Sequence, residues 1–256
     1  IMDISRLQPF DVGQMQRIGS RNDGGYVIPT QIPPIDLLIS FGLGDNWSFE
    51  KHCLKLAIVN KCMVFDHTVG LSTFYAKFFT RLHKTPTELK ALAFRLIVIF
   101  RYFTDFSSVK LQHIKKEITR DSNSSTSTNL AAIANNIPTV LFMLKADIEG
   151  AEYEIIDQIN NFSYRIPILI LEFHHTDSLR FKFEESLDKL SHNYHICHTH
   201  INNFEGLASD GIPHAVEMTF IHKNLCSPTK KISLIPRDEL DYPSAPFRED
   251  LSIRFP

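Results

Sequence analysis

Alternation between short apolar runs and helix-like segments constrains the fold of this chain more than any other feature. Helical patterns occupy residues 48–60 and 152–161, and a last strand is expected at 216–222. Four apolar runs are rich in the β-branched and aromatic residues of buried parallel strands: 35–41, 62–66, 140–146 and 166–173. The alternation predicts an α/β fold with a Rossmann-like, doubly wound, mostly parallel sheet.

The length of the chain fits one domain. Its 256 residues, 43% of them hydrophobic, are enough for a single core over 1–256. Residues 1–34 form a lead-in, and 72–113, rich in Phe, Leu, Lys and Arg at helical spacing, predict a helical insertion that covers one side of the sheet. The polar tract 121–128 predicts an exposed loop, and the proline-containing segment 226–256 predicts a surface tail.

The charge balance and the spacing of the cysteines argue against several partners and kinds of site. The 27 basic and 29 acidic residues give a net charge of -2 without a basic stripe, so no nucleic-acid partner is expected. The four cysteines lack C-x-x-C spacing, which argues against a zinc ribbon or a disulfide scaffold and favours the cytoplasm. No signal peptide is expected from the first residues.

The most apolar stretch, residues 91–103, is about half as long as a membrane span and contains Arg95 and Arg101. We therefore expect no transmembrane segment. The stretch is interpreted as a helix that packs on the body or lies against a surface, which leaves peripheral membrane contact open.

Glycines follow the first predicted strand, and an acid follows the second. Gly42 and Gly44 precede a helix, as expected where a backbone approaches a cofactor closely, although a tight turn alone also needs such glycines. Asp66 ends the second strand about twenty residues later, where a carboxylate can hold both ribose hydroxyls of a nucleoside. The alternative for Asp66 is a helix cap or a loop acid.

Ionisable residues also end the next two strands. Asp147 and Glu149 follow the third strand, where they either contribute to a ligand site or cap the next helix. Glu172 and His174 share one face at the end of the fourth strand, and His175 turns away or lies in the loop. Either histidine could remove a hydroxyl proton, or it could be a structural hydrogen-bonding residue.

Two further stretches are less specific. His195, His198 and His200 have a metal-like composition but lack the regular zinc spacings. Residues 19–29 contain Asp23 in an Asp-Gly-Gly turn, which predicts a hairpin or an exposed loop.

Taken together, these motifs resemble the FkbM family of methyltransferases. The resemblance covers nearly the whole chain except 72–113, and its most specific element is Lys-Ala-Asp-Ile-Glu-Gly-Ala-Glu at 145–152. The other matching stretches are Arg17-Ile18-Gly19, Asp23-Gly24-Gly25-Tyr26-Val27, Ser40-Phe41-Gly42-Leu43-Gly44-Asp45 with Phe49-Glu50, Glu172-Phe173-His174, residues 213–220 with Glu217, and Asp241-Tyr242-Pro243.

This resemblance implies a fold of the class I methyltransferase type, the cofactor S-adenosylmethionine, and O-methylation of a sugar or glycan hydroxyl, as in polysaccharide biosynthesis. Asp66 would bind the ribose, Asp147 would face the sulfonium or the acceptor, and Asp23 is a weaker candidate for the same pocket. Ser40 stands where class I methyltransferases commonly have an acid. The residues that would line the methionine part are Ser40, Phe41, Gly42, Gly44 and Asp45.

The resulting mechanism needs alignment of donor and acceptor and a base. His174 or His175 is the candidate base, with Glu172 orienting the imidazole. Alternatively, a Mg or Mn ion held by Asp147, Glu172 and His174 would lower the pKa of the acceptor hydroxyl.

Three other classes remain as alternatives. An NAD-dependent oxidoreductase would share the early strand, turn and acid, but a complete G-x-G-x-x-G is missing. An amino-group methyltransferase acting on nucleic acid would usually carry Asn or Asp, then Pro-Pro and an aromatic residue, after the strand that corresponds to 140–146, and this chain has Asp147-Ile148-Glu149 there. A catalytically silent binding module is compatible with the fold.

Overall fold

The computed structural model describes residues 3–79, 89–121, 123–138 and 140–256. Six α-helices are present in these ranges: α1 (Ser48–Lys55), α2 (Leu71–Phe79), α3 (Leu89–Asp105), α4 (Leu130–Asn136), α5 (Glu152–Asn161) and α6 (Arg180–Ser191). The strands are β1 (Met15–Gly19), β2 (Gly25–Pro29), β3 (Leu37–Phe41), β4 (Lys61–Phe65), β5 (Leu111–Ile114), β6 (Glu117–Ile118), β7 (Ser127–Thr128), β8 (Phe142–Ala146), β9 (Ile168–His174), β10 (Tyr194–Ile201), β11 (Ala215–His222), β12 (Leu234–Ile235) and β13 (Ile253–Arg254).

Seven strands form the central sheet in the order β10-β11-β9-β8-β3-β4-β5. The five strands from β9 to β5 pair in parallel, and β11 runs antiparallel to both β9 and β10. This arrangement is a Rossmann-like, doubly wound, mostly parallel α/β fold, so the predicted fold class is confirmed. The strand order reverses between β3 and β8, and ligands of such sheets bind at the carboxyl ends beside that point.

Two of the sheet strands differ from the sequence prediction. β5 begins at Leu111, inside the segment 72–113 that was predicted to be a helical insertion. The four residues of β5 extend the sheet instead, because they pair in parallel with β4. The helical part of that segment therefore ends before Leu111. β10 was not predicted, because His195, His198 and His200 interrupt its apolar pattern. Residues 80–88 of the insertion, residue 122 of the polar loop and residues 1 and 2 of the lead-in lie outside the described residues.

Apolar layers cover both faces of the sheet. Side chains alternate along a strand, so Ile39 and Phe41 of β3 enter one layer and Leu38 enters the other. The first layer contains apolar residues of α4, α5 and α6, and the second contains those of the β1–β2 hairpin, α1, α2 and α3. No helix in the described ranges has the length and apolar character needed to cross a membrane.

The N-terminal segment around Asp23 forms the antiparallel β1–β2 hairpin, which is one of its two predicted forms. This hairpin packs on the antiparallel strand β11, where the Thr219 hydroxyl donates to the Val27 carbonyl at 2.7 Å. It thereby carries Asp23 and Tyr26 over the carboxyl ends of the strands.

Candidate functional site

A cleft of about 360 Å³ lies at the carboxyl ends of β3, β4 and β8, beside the point where the strand order reverses. Its position is the one expected for a ligand in an open α/β sheet. Six residues that the sequence predicted for the site line this cleft: Asp23, Gly42, Gly44, Asp45, Asp66 and Asp147.

The glycine turn after β3 forms the floor of the cleft. Gly42 has φ +86°, and a Cβ at this position would overlap the carbonyl oxygen of Asp147. The ends of β3 and β8 are held together there, because the Asp147 amide donates to the Phe41 carbonyl at 3.0 Å. Only glycine combines this backbone conformation with this close approach.

Asp66 connects the end of β4 to the glycine turn. One carboxylate oxygen accepts from the Leu43 amide at 2.9 Å, and the other accepts from the amide and hydroxyl of Thr68, both at 2.7 Å. Burial on its own raises the pKa of Asp66, but the hydrogen bonds from Thr68 and Leu43 lower it below its usual value. Asp66 is therefore an ionised carboxylate at the wall of the cleft.

Ser40 and Phe41, which the sequence predicted for the cofactor site, are not among the residues that line the cleft. Both are fully buried strand residues below the turn. The Ser40 hydroxyl donates to the Glu50 carboxylate at 2.6 Å, and Phe41 packs edge-on against Phe65. Glu50, which reaches the cleft from α1, was missed as a site residue, although it belongs to the Phe49-Glu50 motif.

Lys145 is a second cleft residue to which sequence reasoning gave no role. Its ammonium lies 3.9 Å from a carboxylate oxygen of Glu50 and 3.9 Å from one of Asp147. Burial on its own lowers the pKa of Lys145, but the carboxylates of Glu50 and Asp147 more than offset this effect and raise it. The lysine is thus a buried cation between the floor of the cleft and Asp147.

Behind Asp147 lies an acid cluster, which we define as Asp147, Glu149, Glu152 and Glu172 arranged around the imidazole of His174. Nε2 of His174 is 3.8 Å from Asp147, 3.7 Å from Glu149 and 3.8 Å from Glu172. Nδ1 is 3.1 Å from Glu152. The structure therefore brings together Asp147, Glu172 and His174, as the strand ends predicted.

The surroundings of His174 do not suit a general base. Burial on its own lowers its pKa, but the hydrogen bond to Glu152 and the charges of Glu172 and Asp147 raise it to about 10. These contacts favour the protonated ring, which cannot accept a proton from a substrate. The hydrogen-bond partner of the ring is Glu152 at 3.1 Å, whereas Glu172, to which the sequence assigned the orienting role, lies 3.8 Å from Nε2.

Glu172 supports the site from below. Its carboxylate accepts from the Asn202 amide at 2.8 Å and from the Tyr26 hydroxyl at 3.4 Å, and it is almost fully buried. Burial, followed by the charges of Asp147 and Glu217, raises the pKa of Glu172 well above its usual value. Asp147 is the more accessible carboxylate, with 30% of its side chain exposed against 4% for Glu172.

His175 lies apart from the cleft. It is exposed, has φ +56°, and its ring rests against Gly150. The centroids of the His174 and His175 rings are 6.4 Å apart. His175 is not among the residues that line the cleft, so the structure does not place it against a ligand there.

Two histidines of β10 lie against buried carboxylates. His198 lies 3.0 Å from Asp241, and His200 lies 3.1 Å from both Glu217 and Asp250. Burial on its own lowers the pKa of His200, but the charge of Glu217 and the hydrogen bonds to Asp250 and Glu217 raise it to about 10. The contacts with Asp241 and Asp250 attach the C-terminal segment to the sheet.

Two carboxylates of the acid cluster and the imidazole of His174 are close enough together to hold a divalent cation. One ligand atom each from Asp147, Glu149 and His174 lies within 4.8 Å of the others. Glu149 takes the place that the sequence assigned to Glu172, whose oxygens accept hydrogen bonds from Asn202 and Tyr26. A set of carboxylate and imidazole ligands suits Mg or Mn.

No protein-family model and no curated protein sequence matches this chain. Among solved structures, it is similar to spermidine synthase from Thermotoga maritima, with 12% identity and a TM-score of 0.43 over 76% of this chain and 56% of that one. It is also similar to M. capricolum TrmK in complex with S-adenosyl-homocysteine, with 13% identity and a TM-score of 0.41 over 75% of this chain and 64% of that one. The chain thus spans less than two thirds of the length of both.

Proposed function

We propose that this chain is an S-adenosylmethionine-dependent methyltransferase that transfers the methyl group to a hydroxyl of a sugar or glycan acceptor. One observation carries the proposal: Asp147 joins the two halves of the cleft. Its backbone carbonyl lies against Gly42 of the glycine turn, and its carboxylate faces the acid cluster. A cofactor on the turn and an acceptor at the acids would therefore meet at Asp147.

The half of the cleft at the glycine turn has groups that would suit a nucleoside joined to an amino acid. The backbone of the turn at Gly42 and Gly44 would lie along the methionine part, as the close approach at Gly42 allows. Asp66 stands at the end of the next strand, and its Oδ2 accepts one hydrogen bond within the described residues, from Leu43. This oxygen would accept from a ribose hydroxyl.

The acceptor half is acidic and accepts hydrogen bonds. Asp23, Asp147 and Glu149 line the cleft, and a carboxylate group offers oxygen atoms that accept hydrogen bonds. A sugar offers several hydroxyl donors to such a wall, whereas the phosphates of a nucleic acid would be repelled by it. This polarity supports the sugar hydroxyl over a nucleic-acid acceptor.

The reaction needs in-line placement and one proton acceptor. S-adenosylmethionine, when bound on the glycine turn, would supply an activated methyl group to the acceptor oxygen, with the electron pair of the broken carbon–sulfur bond remaining on sulfur. The hydroxyl proton passes to the carboxylate of Asp147, which Tyr26 holds at 3.3 Å and Lys145 at 3.9 Å. His174 acts as a positioning residue that keeps the neighbouring carboxylates together.

A divalent cation is the rival to this direct proton transfer. Held by Asp147, Glu149 and His174, it would lower the pKa of the acceptor hydroxyl. Dialysis against a chelator distinguishes the two. We expect unchanged turnover for direct transfer to Asp147, whereas loss of turnover that Mg or Mn restores would establish the cation mechanism.

The acceptor class can be tested by incubating the protein with S-adenosylmethionine and a panel of sugars, nucleotide sugars and lipid-linked glycans, followed by mass spectrometry. We expect one acceptor to gain a single methyl group in step with formation of the demethylated cofactor. A methylated RNA in a parallel panel, with every glycan unmodified, would contradict the sugar proposal. Cofactor binding without methylation of any acceptor would favour a silent binding module.

Replacing Asp66 with alanine tests the cofactor half. Because Asp66 holds both the glycine turn and its own loop, we expect weaker cofactor binding by about 10- to 100-fold, together with a lower melting temperature of the free protein. Titration calorimetry and thermal unfolding measure the two effects. Asp36→Ala, which removes an exposed acid that pairs with Asn60, is the matched control and should leave affinity unchanged. Equal affinity in the Asp66 variant would remove this residue from the site.

A further inference from the structure

Helix α3 is apolar on two opposite sides. Its inner side packs on the body through Val98 and Ile99, which are buried, and through Tyr102, whose ring centroid is 6.0 Å from that of Trp47. A helix with a single apolar side would be polar elsewhere. The outer side of α3 therefore needs an explanation of its own.

Large apolar side chains cover that outer side. Phe100 is 69% exposed and Phe103 is 67% exposed. The three- and four-residue spacings of these positions place them next to each other on the helix surface. We define the apolar face of α3 as the side chains at least half exposed to solvent: Phe94, Leu96, Ile97, Phe100 and Phe103.

The segment that contains this face is basic, although the whole chain has a net charge of -2. Between residues 71 and 105 the only acidic residues are Glu88 and Asp105. Asp105 is already engaged, because it accepts from Trp47 and pairs with Lys51. The six basic residues of the segment are Lys77, Arg81, Lys84, Lys90, Arg95 and Arg101.

Helix α3 also contacts the rim of the cleft. Arg95 of α3 forms an ion pair with Asp45 of the glycine turn, and Arg101 lies over the buried Trp47 ring at 5.7 Å. Arg95 therefore attaches the helix to the rim of the cleft.

We propose that the apolar face of α3 docks onto an anionic lipid bilayer, with the helix in the plane of the interface. Aromatic and aliphatic side chains would enter the boundary between headgroups and acyl chains, and the net positive charge of the segment would favour anionic headgroups. Isolated exposed apolar residues are ordinary, but a contiguous group on one helix marks an interaction surface. This inference does not depend on the proposed methyl transfer.

Co-sedimentation with vesicles tests the docking. The probes are vesicles of phosphatidylcholine alone and of equal parts phosphatidylcholine and phosphatidylserine. We expect the protein to bind the mixed vesicles more tightly, and Phe100→Ser with Phe103→Ser to weaken this binding at least about tenfold. Both side chains are exposed, so the fold should be retained. Phe181→Ser with Phe247→Ser, which removes rings 80% and 73% exposed elsewhere, is the matched control and should bind like the unaltered protein.

Equal binding of the α3 variant and the unaltered protein, or no binding to the mixed vesicles, would overturn the proposal. Light scattering without lipid measures whether the apolar face of α3 instead binds a second copy of the chain. A dimer that dissociates on the α3 substitutions, in a protein that does not bind vesicles, would assign the face to self-association and reject the membrane.

Discussion

Replacing Asp147 with asparagine is expected to lower the turnover number about 10²- to 10⁴-fold, the range for loss of a general base. Asparagine keeps the shape of the side chain and can still accept from Tyr26, but it cannot take the acceptor proton. The backbone carbonyl of residue 147 stays against Gly42, so cofactor affinity should change little. Single-turnover kinetics and titration calorimetry with the demethylated cofactor separate these two effects.

The control for this experiment is Asp157→Asn on α5, an exposed acid that pairs with Lys189. It should retain full turnover and affinity. A fall in cofactor affinity as large as the fall in turnover would assign Asp147 to cofactor binding. Wild-type turnover of the Asp147 variant on a confirmed acceptor would remove Asp147 from the reaction.

Gly42→Ala is expected to abolish measurable cofactor binding. The new methyl group would overlap the Asp147 carbonyl oxygen, and φ +86° is disfavoured for alanine. Relief of the overlap requires β3 and β8 to separate where the turn should meet the cofactor. The melting temperature should fall as well, because this contact lies in the centre of the sheet.

Gly44→Ala is the matched control for this substitution. Gly44 lies in the same turn with φ +57°, but a Cβ there meets no atom within 4 Å. Its variant should fold and bind the cofactor more weakly by about tenfold at most, because backbone strain without a clash costs about 1 kcal/mol. If Gly42→Ala binds as well as Gly44→Ala, the close approach of the turn to β8 has no role in binding.

The sequence predicts the fold well where strands are apolar throughout. β8 and β9 are buried along their whole length, so composition alone identifies them. β10 alternates histidines with apolar residues, and its polar side is buried only because Glu217 and the C-terminal segment neutralise it. Such pairing joins residues far apart in the sequence, and no local pattern shows it.

The site is predictable where side chains follow strand ends, and less so elsewhere. Asp66, Asp147 and His174 could be placed because parallel strands end at one edge of the sheet. Ser40 was predicted for the site but is fully buried, because a motif marks residues that belong together without showing which of them are exposed. The basicity of His174 depends on Glu152, an acid on α5 whose distance from the ring only the folded chain defines.

The most direct test of the central claim is titration calorimetry of the protein with S-adenosyl-homocysteine and with NAD, supported by thermal unfolding. A ligand that binds only the folded state stabilises it, so we expect S-adenosyl-homocysteine to bind and to raise the melting temperature. NAD should do neither, because the turn lacks the third glycine of the dinucleotide motif. Binding of NAD with no response to S-adenosyl-homocysteine would contradict the methyltransferase proposal.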